Sequence, residues 1–290
     1  MFPGRKAQET GRSDDVGHCG SGHRLVSSSG GVEVTERAPT ILLLTAGGPN
    51  PAIVANALAT RFPGLQVVLE GAESKWGITR RRARRLGWPN ALGQLATMIA
   101  ARLLRRFAAR RTEQLVASSG YGAEFSPAIP QHEVSSINDE SCLALVQALQ
   151  PKAIVLVSTR LMSSAVLSSM PCPVINLHAG INPAYRGQMG GYWSLVERDS
   201  GNFGATVHLV DAGTDTGGTL YEVRTAPEKG DFISTYPLVL TIAALDITRQ
   251  AVEDAMAGRL SPHQPGGPSA LRFPPAIWDW LRHGLVRGVW

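Results

Sequence analysis

The sequence predicts a doubly wound α/β fold with a mostly parallel sheet, and three observations support this prediction. Residues 41–44 form a continuous apolar run, which is typical of a strand buried on both faces. A glycine-rich turn and a helical stretch follow this run, and residues 65–69 have the pattern of the next strand. Strand and helix patterns alternate again after Val134. Such a repeat is the pattern of a parallel sheet covered by helices.

Composition limits the domain that this fold can form. The chain has 290 residues, 43% of them hydrophobic, which is enough for one full core with appendages. Its three scattered cysteines do not indicate a disulfide framework, and the absence of CxxC spacing gives no reason to expect a metal. Because we find neither a signal-peptide pattern nor an apolar stretch of about 18 residues, we expect a cytoplasmic protein.

The chain divides into three parts by composition. Residues 1–38 are rich in Gly, Ser and charge, and we expect a flexible arm because they bury too little apolar surface to offset the entropy of ordering. Residues 39–235 hold the predicted sheet, with a basic helical insert at 75–112. Residues 236–290 should form a helix and a tail rich in Trp and Pro that packs on the body. Beyond residue 134 we predict a helix at 140–149, a strand at 153–157, a helix at 160–170, strands at 174–177, 204–209 and 219–223, and a helix at 237–258.

A glycine turn at residues 46–50 (AGGPN) lies between the first strand and a helix that Pro51 should open. Asn50 is placed to cap this helix. Because N–H groups at a helix N-terminus can bind a phosphate or carboxylate, Gly47, Gly48 and Asn50 are candidate substrate-binding residues. Gly47-Gly48 does not match the GxGxxG pattern of dinucleotide sites, so a plain tight turn stays an alternative.

Residues 75–111 concentrate the positive charge, with 11 lysines or arginines and no acidic residue. The isoelectric point near 9.4 therefore describes this segment rather than the whole chain. We expect two helices here, at 79–86 and 91–111, separated by a break at 87–89. The apolar side of the second helix should either pack on the body, leaving a solvated basic face, or meet an anionic membrane. Aromatic residues for base stacking are nearly absent, so we do not expect nucleic acid as a partner.

The densest cluster of candidate functional residues lies between residues 174 and 221. Asn176 and His178 stand at the carboxyl end of a predicted strand and, being two residues apart, point to the same face. Ligands bind at that end of the strands in open α/β sheets. Asp215 lies in a glycine-rich loop that can approach a ligand closely. We therefore predict that these three side chains converge on one cavity, whereas His208, inside an alternating strand, should not be catalytic and should serve as a structural group or as a support of the site residues.

The order of these motifs resembles that of the formyltransferase family, which includes glycinamide ribonucleotide transformylase, methionyl-tRNA formyltransferase and the amino-sugar N-formyltransferases. The family pattern is N-x-H-P, L-P-x-Y-R-G, G-x-T-V-H and D-x-G. This sequence has NLH at 176–178, NPAYRG at 182–187, GATVH at 204–208 and DTG at 215–217. The resemblance implies a Rossmann-like formyltransferase fold, with 10-formyltetrahydrofolate as formyl donor and a small amine as acceptor.

The resemblance also implies roles for individual residues. An amine attacks the formyl carbon, and fixed donors that stabilise the charge on the formyl oxygen are typically worth about 3 kcal/mol each. Asn176 and His178 are the implied donors, and Asp215 would assist the transfer of the proton that the amine sheds. The residues with implied contacts to the folate are Thr159, Arg160, Leu161, Val210, Asp211 and Gly213. Those with implied contacts to the acceptor are Tyr185 and Arg186, together with the glycine turn.

Three departures from the family pattern bear on the acceptor. Ala179-Gly180 replaces the usual Pro-Ser after the histidine, the basic insert is foreign to the minimal purine enzyme, and no C-terminal tRNA-binding barrel is evident after Tyr221. We therefore expect an amino sugar or a similar small amine. Two alternatives stay open: hydrolysis of formyltetrahydrofolate at the same site, or a non-catalytic formyltransferase-like protein attached to a membrane through residues 91–111. The sequence does not specify the oligomeric state.

Overall fold

The computed structural model describes residues 38–290, so the arm predicted at 1–38 lies, apart from Ala38, outside the described residues. Strands and helices alternate through most of this part of the chain. In order they are β1 (Ile41–Thr45), α1 (Pro49–Ala59), β2 (Leu65–Glu70), α2 (Lys75–Leu86), α3 (Trp88–Leu104), α4 (Ala109–Ser119), β3 (Gln131–Val134), α5 (Glu140–Leu149), β4 (Ala153–Leu156), α6 (Ser164–Ser168), β5 (Val174–His178), β6 (Arg186–Gly187), α7 (Gly190–Val196), β7 (Gly204–Leu209), β8 (Thr219–Arg224), α8 (Tyr236–Ala243), α9 (Leu245–Met256), β9 (Leu271–Arg272) and α10 (Ile277–Arg287).

Seven strands form one sheet in the order β3-β2-β1-β4-β5-β7-β8. The five strands from β3 to β5 are parallel, and β7 and β8 extend the sheet in antiparallel pairing. The predicted doubly wound, mostly parallel sheet is therefore confirmed. The direction of winding reverses between β1 and β4. A crevice opens at such a reversal beyond the carboxyl ends of the strands, which is the usual ligand position in this class of fold.

The sheet is covered on both faces. Ile41 and Leu43 of β1 pack into one hydrophobic core with residues of α1, α8 and α9, whereas Leu42 and Leu44 pack into a second core with α5. All four side chains are fully buried. Burial of each such side chain contributes about 1.5–3 kcal/mol to stability. The continuous apolar run of β1 thus follows from its position between two layers.

Three predicted helices have different bounds in the structure. The helix predicted at 237–258 is interrupted at Ala244, because α8 packs against α1 while α9 packs under the sheet. The helix predicted at 160–170 is reduced to α6, which begins after Ser163, whose hydroxyl accepts a hydrogen bond from the Val166 N–H. The helix predicted from Pro51 begins at Pro49 with Gly48 as N-cap, so Asn50 is not its cap.

The prediction of one helix over 91–111 is wrong. The helix ends at Leu104, a 3-10 turn spans Arg105–Ala108, and α4 follows. Of the two alternatives for its apolar side, packing on the body does not apply to Leu103 and Phe107, which are exposed. The small residues of α3 face inward instead, because the Trp278 ring lies over Gly93, where a Cβ would be 2.6 Å from the ring. The preceding helix, α2, starts at Lys75 rather than at residue 79.

Candidate active site

Pairing between β5 and β7 sets the floor of the site. In this antiparallel pair Asn176 lies opposite His208, and His178 lies opposite Thr206. Residues directly opposite each other share a face of the sheet, and so do residues two apart on one strand. The four polar side chains therefore lie on one face, at the end of the sheet where the parallel strands terminate.

Asp215 reaches this floor from the loop between β7 and β8. Its backbone takes the left-handed conformation, with φ of 51°. Oδ1 lies 3.1 Å from the Asn176 Nδ2, and Oδ2 lies 3.6 Å from the His178 Nδ1. The structure thus brings together the three residues that the sequence indicates for catalysis. His208, for which we expected a structural or supporting role, contacts this cluster, since its Nε2 lies 3.3 Å from Asp215 Oδ1.

His178 is buried and held through one ring nitrogen. Its Nε2 lies 2.8 Å from the Tyr185 carbonyl oxygen. Because a carbonyl can only accept a hydrogen bond, Nε2 carries a proton and donates it. Nδ1, which faces Asp215, is therefore the ring nitrogen that can exchange a proton with a substrate. Gly180 makes room for this arrangement, since a Cβ there would lie 2.6 Å from Nε2.

Asn176 uses both of its amide hydrogens within the protein. Its Nδ2 lies 3.1 Å from the His208 Nε2 and 3.1 Å from Asp215 Oδ1. The His208 Nδ1 donates to the Leu209 carbonyl at 2.7 Å, so in the neutral imidazole Nε2 accepts from Asn176, whereas in the protonated imidazole Nε2 donates to Asp215 Oδ1 at 3.3 Å. From the sequence we expected an amide available to a substrate. In the structure a substrate oxygen must compete with one of these two acceptors.

Electrostatics keep Asp215 ionised. Burial alone would raise the pKa of this carboxyl. The adjacent His178 and His208 and the Gly187 N–H, which donates to Oδ2 at 2.8 Å, together lower it by more. The pKa therefore lies well below its usual range. A carboxylate of this kind is a weak base and a strong partner for a protonated imidazole.

The strand β6 supports Asp215. Besides the Gly187 N–H, the Arg186 Nη1 donates to the Thr214 carbonyl at 2.9 Å, so two consecutive residues hold the loop that contains Asp215. β6 itself pairs in parallel with β9, in the C-terminal part of the chain. Gly187 has φ of 91°, and a Cβ there would lie 2.4 Å from the Arg272 carbonyl oxygen. The motif around residue 187 therefore requires glycine in order to bring β6, β9 and the loop together.

A cavity of about 490 Å³ lies above this cluster, at the reversal of the sheet. Its walls come from the segments after β1, β4, β5 and β7 and from α8. Asn176, His178 and Asp215 line it. Of the other predicted ligand residues, the cavity is lined by Asn50, Thr159, Arg160, Leu161, Val210, Asp211 and Gly213. Those absent from its walls are Gly47, Gly48, Tyr185 and Arg186.

Two of these four residues have other roles. The Tyr185 side chain is buried and its hydroxyl donates to Asp199 Oδ2 at 2.8 Å, so it does not point toward an acceptor. Arg186 is committed to Thr214. The spacing of a motif does not distinguish a side chain that binds substrate from one that holds the site, and both residues hold the site in this structure. Arg160, although it lines the cavity, donates its backbone N–H to the buried Glu70 carboxylate at 2.7 Å.

The glycine turn offers few donors for an anion. Helix α1 begins at Pro49, and Pro51 is its third residue. Neither proline has an N–H, so two of the first three positions cannot donate to a phosphate. The Asn50 side chain instead contributes to the cavity wall, with its Nδ2 3.4 Å from the Thr241 hydroxyl of α8. The turn matches the alternative of a plain tight turn.

Part of the cavity wall was not predicted from the sequence. Gln188, Tyr192, Tyr236, Pro237 and Thr241 line it. The last three lie on α8, and Pro237 and Thr241 are one helical turn apart. This i, i+4 spacing was visible in the sequence, but nothing indicated which face of the helix meets the sheet. Gln188 also accepts a hydrogen bond from the basic insert: the Arg82 Nη2 donates to its Oε1 at 2.7 Å.

Comparisons with known proteins agree with this geometry. Residues 108–231 match the family described as formyl transferase. The methionyl-tRNA formyltransferase of Chlorobium chlorochromatii is 33% identical over 98 residues, which cover 34% of this chain and 31% of that protein. The corresponding protein of Pelobacter propionicus is 27% identical over 175 residues, 56% of this chain and 54% of that protein. The matches thus span between a third and about a half of the length of these curated relatives.

The fold has counterparts among solved structures. A sugar N-formyltransferase from a Shewanella species superposes with a TM-score of 0.52 at 13% identity, over 83% of this chain and 78% of that chain. At this identity the likeness concerns the fold alone. The sequence match, however, includes the strand with Asn176 and His178 and the loop with Asp215. Residues 108–231 therefore match the formyltransferase family in sequence, and the chain has the fold seen in solved structures of such enzymes.

Proposed function

We propose that this protein transfers a formyl group from 10-formyltetrahydrofolate to the amine of a small-molecule acceptor, an amino sugar or a similar compound. The observation that carries the proposal is the convergence of Asn176, His178 and Asp215 at the floor of a cavity of about 490 Å³. A cavity of this size accommodates a ligand of the size of a cofactor. Folate-side contacts would come from residues 159–161 and 210–213, where the apolar Leu161 and Val210 stand beside the polar Asp211.

His178 and Asn176 would stabilise the developing charge. The amine nitrogen bonds to the formyl carbon, and the carbonyl π electrons move to the formyl oxygen. The Nε2–H of His178 is already bonded to the Tyr185 carbonyl, so Nδ1 is the atom that would donate to the formyl oxygen. The 3.6 Å between Nδ1 and Asp215 Oδ2 is long for a hydrogen bond, which leaves that donor able to turn to the substrate. The oxygen would also displace Asp215 Oδ1 from one Asn176 N–H.

Asp215 would act mainly by its charge. Its low pKa makes it a poor final acceptor for the proton of the attacking amine. Its carboxylate instead stabilises a protonated His178 and can pass the amine proton to water. The bond from the formyl carbon to the folate nitrogen then breaks, and that nitrogen leaves with the electron pair and takes up a proton. No covalent enzyme intermediate is needed.

The chemistry of the cavity wall supports a hydroxyl-rich acceptor. Asn50, Thr241 and Gln188 contribute amide and hydroxyl groups to the walls. Groups of this kind exchange hydrogen bonds with sugar hydroxyls. The Shewanella neighbour is described as a sugar N-formyltransferase, which is consistent with this acceptor class.

The decisive experiment measures tetrahydrofolate release by the purified full chain with and without amino sugars. Release that requires the amine supports transfer. Equal release in its absence would indicate the hydrolase alternative, and folate binding without release would indicate a binding protein.

His178→Asn should lower kcat by at least about a hundredfold, the usual order for loss of an oxyanion donor. His208→Asn should retain detectable transfer because His208 contacts Asn176 rather than the reacting atoms; the opposite ranking of these two variants would show that the wrong histidine is assigned.

A further inference from the structure

An exposed surface outside the cavity combines large apolar side chains with arginines. It is formed by the end of α3, the following 3-10 turn and α10, and we call it the α3–α10 surface. Its most exposed apolar side chains are Leu285 at 79%, Val286 at 71%, and Leu103 and Phe107 at 70% each. The arginines of these segments include Arg102, Arg105, Arg106 and Arg282, and Arg110 follows in the first turn of α4. None of these residues lines the cavity above the catalytic cluster.

Two anchors place α10 alongside α3. At one end, Trp278 packs on Gly93 near the start of both helices. At the other end, the Trp290 carbonyl accepts a hydrogen bond from the Ile233 N–H, two residues from Asp231, which pairs with Arg111. The C-terminal segment is therefore joined to the insert near Gly93 and near Arg111, and α10 contacts α3 directly, so we assign the exposed apolar residues of both helices to one region of the molecule.

The exposure of this face follows from how α3 packs. Ile99 and Leu103 are four residues apart and so lie on one side of α3, and the exposed Phe107 follows in the 3-10 turn. Small residues occupy the opposite side, which is buried. A monomeric protein rarely leaves large apolar side chains together in water, and such clusters usually mark a contact surface.

The arginines on this surface have no acidic partners within the described part of the chain. Among residues 38–290, none of Arg102, Arg105, Arg106, Arg110 and Arg282 makes an ion pair, whereas Arg111, on the inner side, is paired with Asp231 and Glu228. Arg106 instead lies over the Phe107 ring, 5.0 Å from its centre. A guanidinium group beside an apolar side chain is suited to a phosphate at the edge of a lipid layer.

We propose that the α3–α10 surface docks on an anionic lipid bilayer. The apolar side chains would enter the interface, and the arginines would contact lipid phosphates, each contributing about 1 kcal/mol. A second copy of this chain fits the surface poorly, because a symmetric contact would place five arginines against five. None of the described helices is long and apolar enough to cross a membrane, so the contact we propose is peripheral.

Sedimentation of the full chain with phosphatidylcholine vesicles, with and without phosphatidylglycerol, tests the proposal. We expect binding only to the anionic vesicles, weakened by salt. Replacing Arg102, Arg105 and Arg106 with Ala should weaken binding roughly a hundredfold, from three contributions of about 1 kcal/mol. A control triple variant, with Arg61, Lys152 and Arg249 replaced by Ala, removes the same charge elsewhere and should bind like the parent.

The double variant Leu103→Ser, Phe107→Ser separates insertion from simple charge attraction. It should also lose binding, and it should keep its activity in solution because neither residue lines the cavity. Three outcomes would overturn the proposal: a parent that does not bind anionic vesicles, a triple Arg variant that binds like its control, or self-association of the parent that this double variant abolishes. The last outcome would assign the surface to a second copy.

Discussion

At the scale of single residues, the orientation of His178 depends on a glycine two positions later. The imidazole donates from Nε2 to the Tyr185 carbonyl, and the space beside that bond is open only because residue 180 has no side chain. The sequence resemblance implies Pro-Ser after the histidine, whereas this chain has Ala179-Gly180. This departure from the family pattern is thus what allows this particular hydrogen bond.

Gly180→Ala should therefore disturb the site from within. The new Cβ would lie 2.6 Å from both the His178 Nε2 and the Tyr185 oxygen, a distance that forces one of them to move. We expect a loss of about 1–3 kcal/mol in the free energy of unfolding, as is usual for overpacking, together with a lower kcat. Denaturant unfolding and the formyl-transfer assay measure the two effects. Gly201→Ala is the control, because its Cβ meets nothing within 4 Å; equal behaviour of the two variants would contradict a histidine held through Nε2 in the space beside Gly180.

Asp215 should make the free energy of unfolding depend on pH in the acidic range. Its folded-state pKa lies below the unfolded value of 3.8, so its stabilising contribution is complete above that pH and is lost as the pH falls towards the folded-state pKa. The difference in unfolding free energy between the parent and Asp215→Asn should be constant above about pH 5 and shrink below 3.8. Asp246→Asn, at an exposed position, provides the comparison. If the difference in unfolding free energy between the parent and Asp215→Asn did not change down to the lowest pH at which both fold, the Asp215 carboxylate would not be stabilised by its neighbours.

The spacing of residues made part of this site predictable. Asn176 and His178 share a face because two-residue spacing on a strand requires it, whatever the rest of the fold. The partners of these side chains were not predictable, because the antiparallel pairing that places His208 beside Asn176 depends on a strand direction that the sequence does not encode locally. Tyr185 was misjudged for a similar reason, since its carbonyl rather than its side chain contacts the site.

At the scale of elements, the basic insert is attached to the body by one buried ion pair. Arg111 of α4 donates to both oxygens of Asp231, at 2.8 and 3.0 Å, and the Asp231 side chain is fully buried. Burial alone would raise the pKa of Asp231, but the Arg111 pair and further hydrogen bonds hold it below its usual value. The neighbouring arginines of the insert have no such partner among the described residues.

Removing one member of this pair should cost far more than removing both. Arg111→Met leaves a buried carboxylate without its cation, and we expect a loss of about 3–5 kcal/mol in the free energy of unfolding. The double variant Arg111→Met, Asp231→Asn should recover much of that loss because no uncompensated charge remains. Arg110→Met, which removes an arginine without an ion pair, should change stability by less than about 0.5 kcal/mol. Similar losses in the Arg111 and Arg110 variants would show that the pair does not anchor the insert.

The basic insert also shows what apolar periodicity can and cannot predict about a helix. The apolar repeat correctly indicated a helix from residue 91, but it could not indicate which side is buried, because that depends on Trp278 occupying the space over Gly93. The end of the helix at Leu104 has no glycine or proline to mark it. The bounds of α5, by contrast, match the prediction, since the residue at its N-cap, Asp139, is of a type that favours the start of a helix.

At the scale of the whole molecule, the site joins distant parts of the chain. Asp215 is held by β6, β6 is held by β9, and the cavity is closed by α8. The parallel arrangement of the strands follows from the alternation of strand and helix patterns, which is why the fold class could be predicted. β9 has only two residues, too few for a pattern, although through β6 it supports the loop that contains Asp215.

If the proposed function holds, binding of tetrahydrofolate should stabilise the folded protein as a whole. A ligand that binds only the native state at a hundred times its Kd adds about 2.7 kcal/mol to the free energy of unfolding, which thermal or denaturant unfolding detects. Leu161→Asp should abolish this increase, because it places a carboxylate in the cavity wall facing a ligand that is itself anionic. Leu161 is 59% exposed, so the change should leave the stability of the unliganded protein nearly unaltered.

Leu281→Asp is the matched control. This leucine is also exposed, at 46%, but lies outside the cavity, and its variant should respond to tetrahydrofolate like the parent. A full response in the Leu161 variant would place the folate elsewhere, whereas a response in neither the parent nor any variant would contradict folate binding itself.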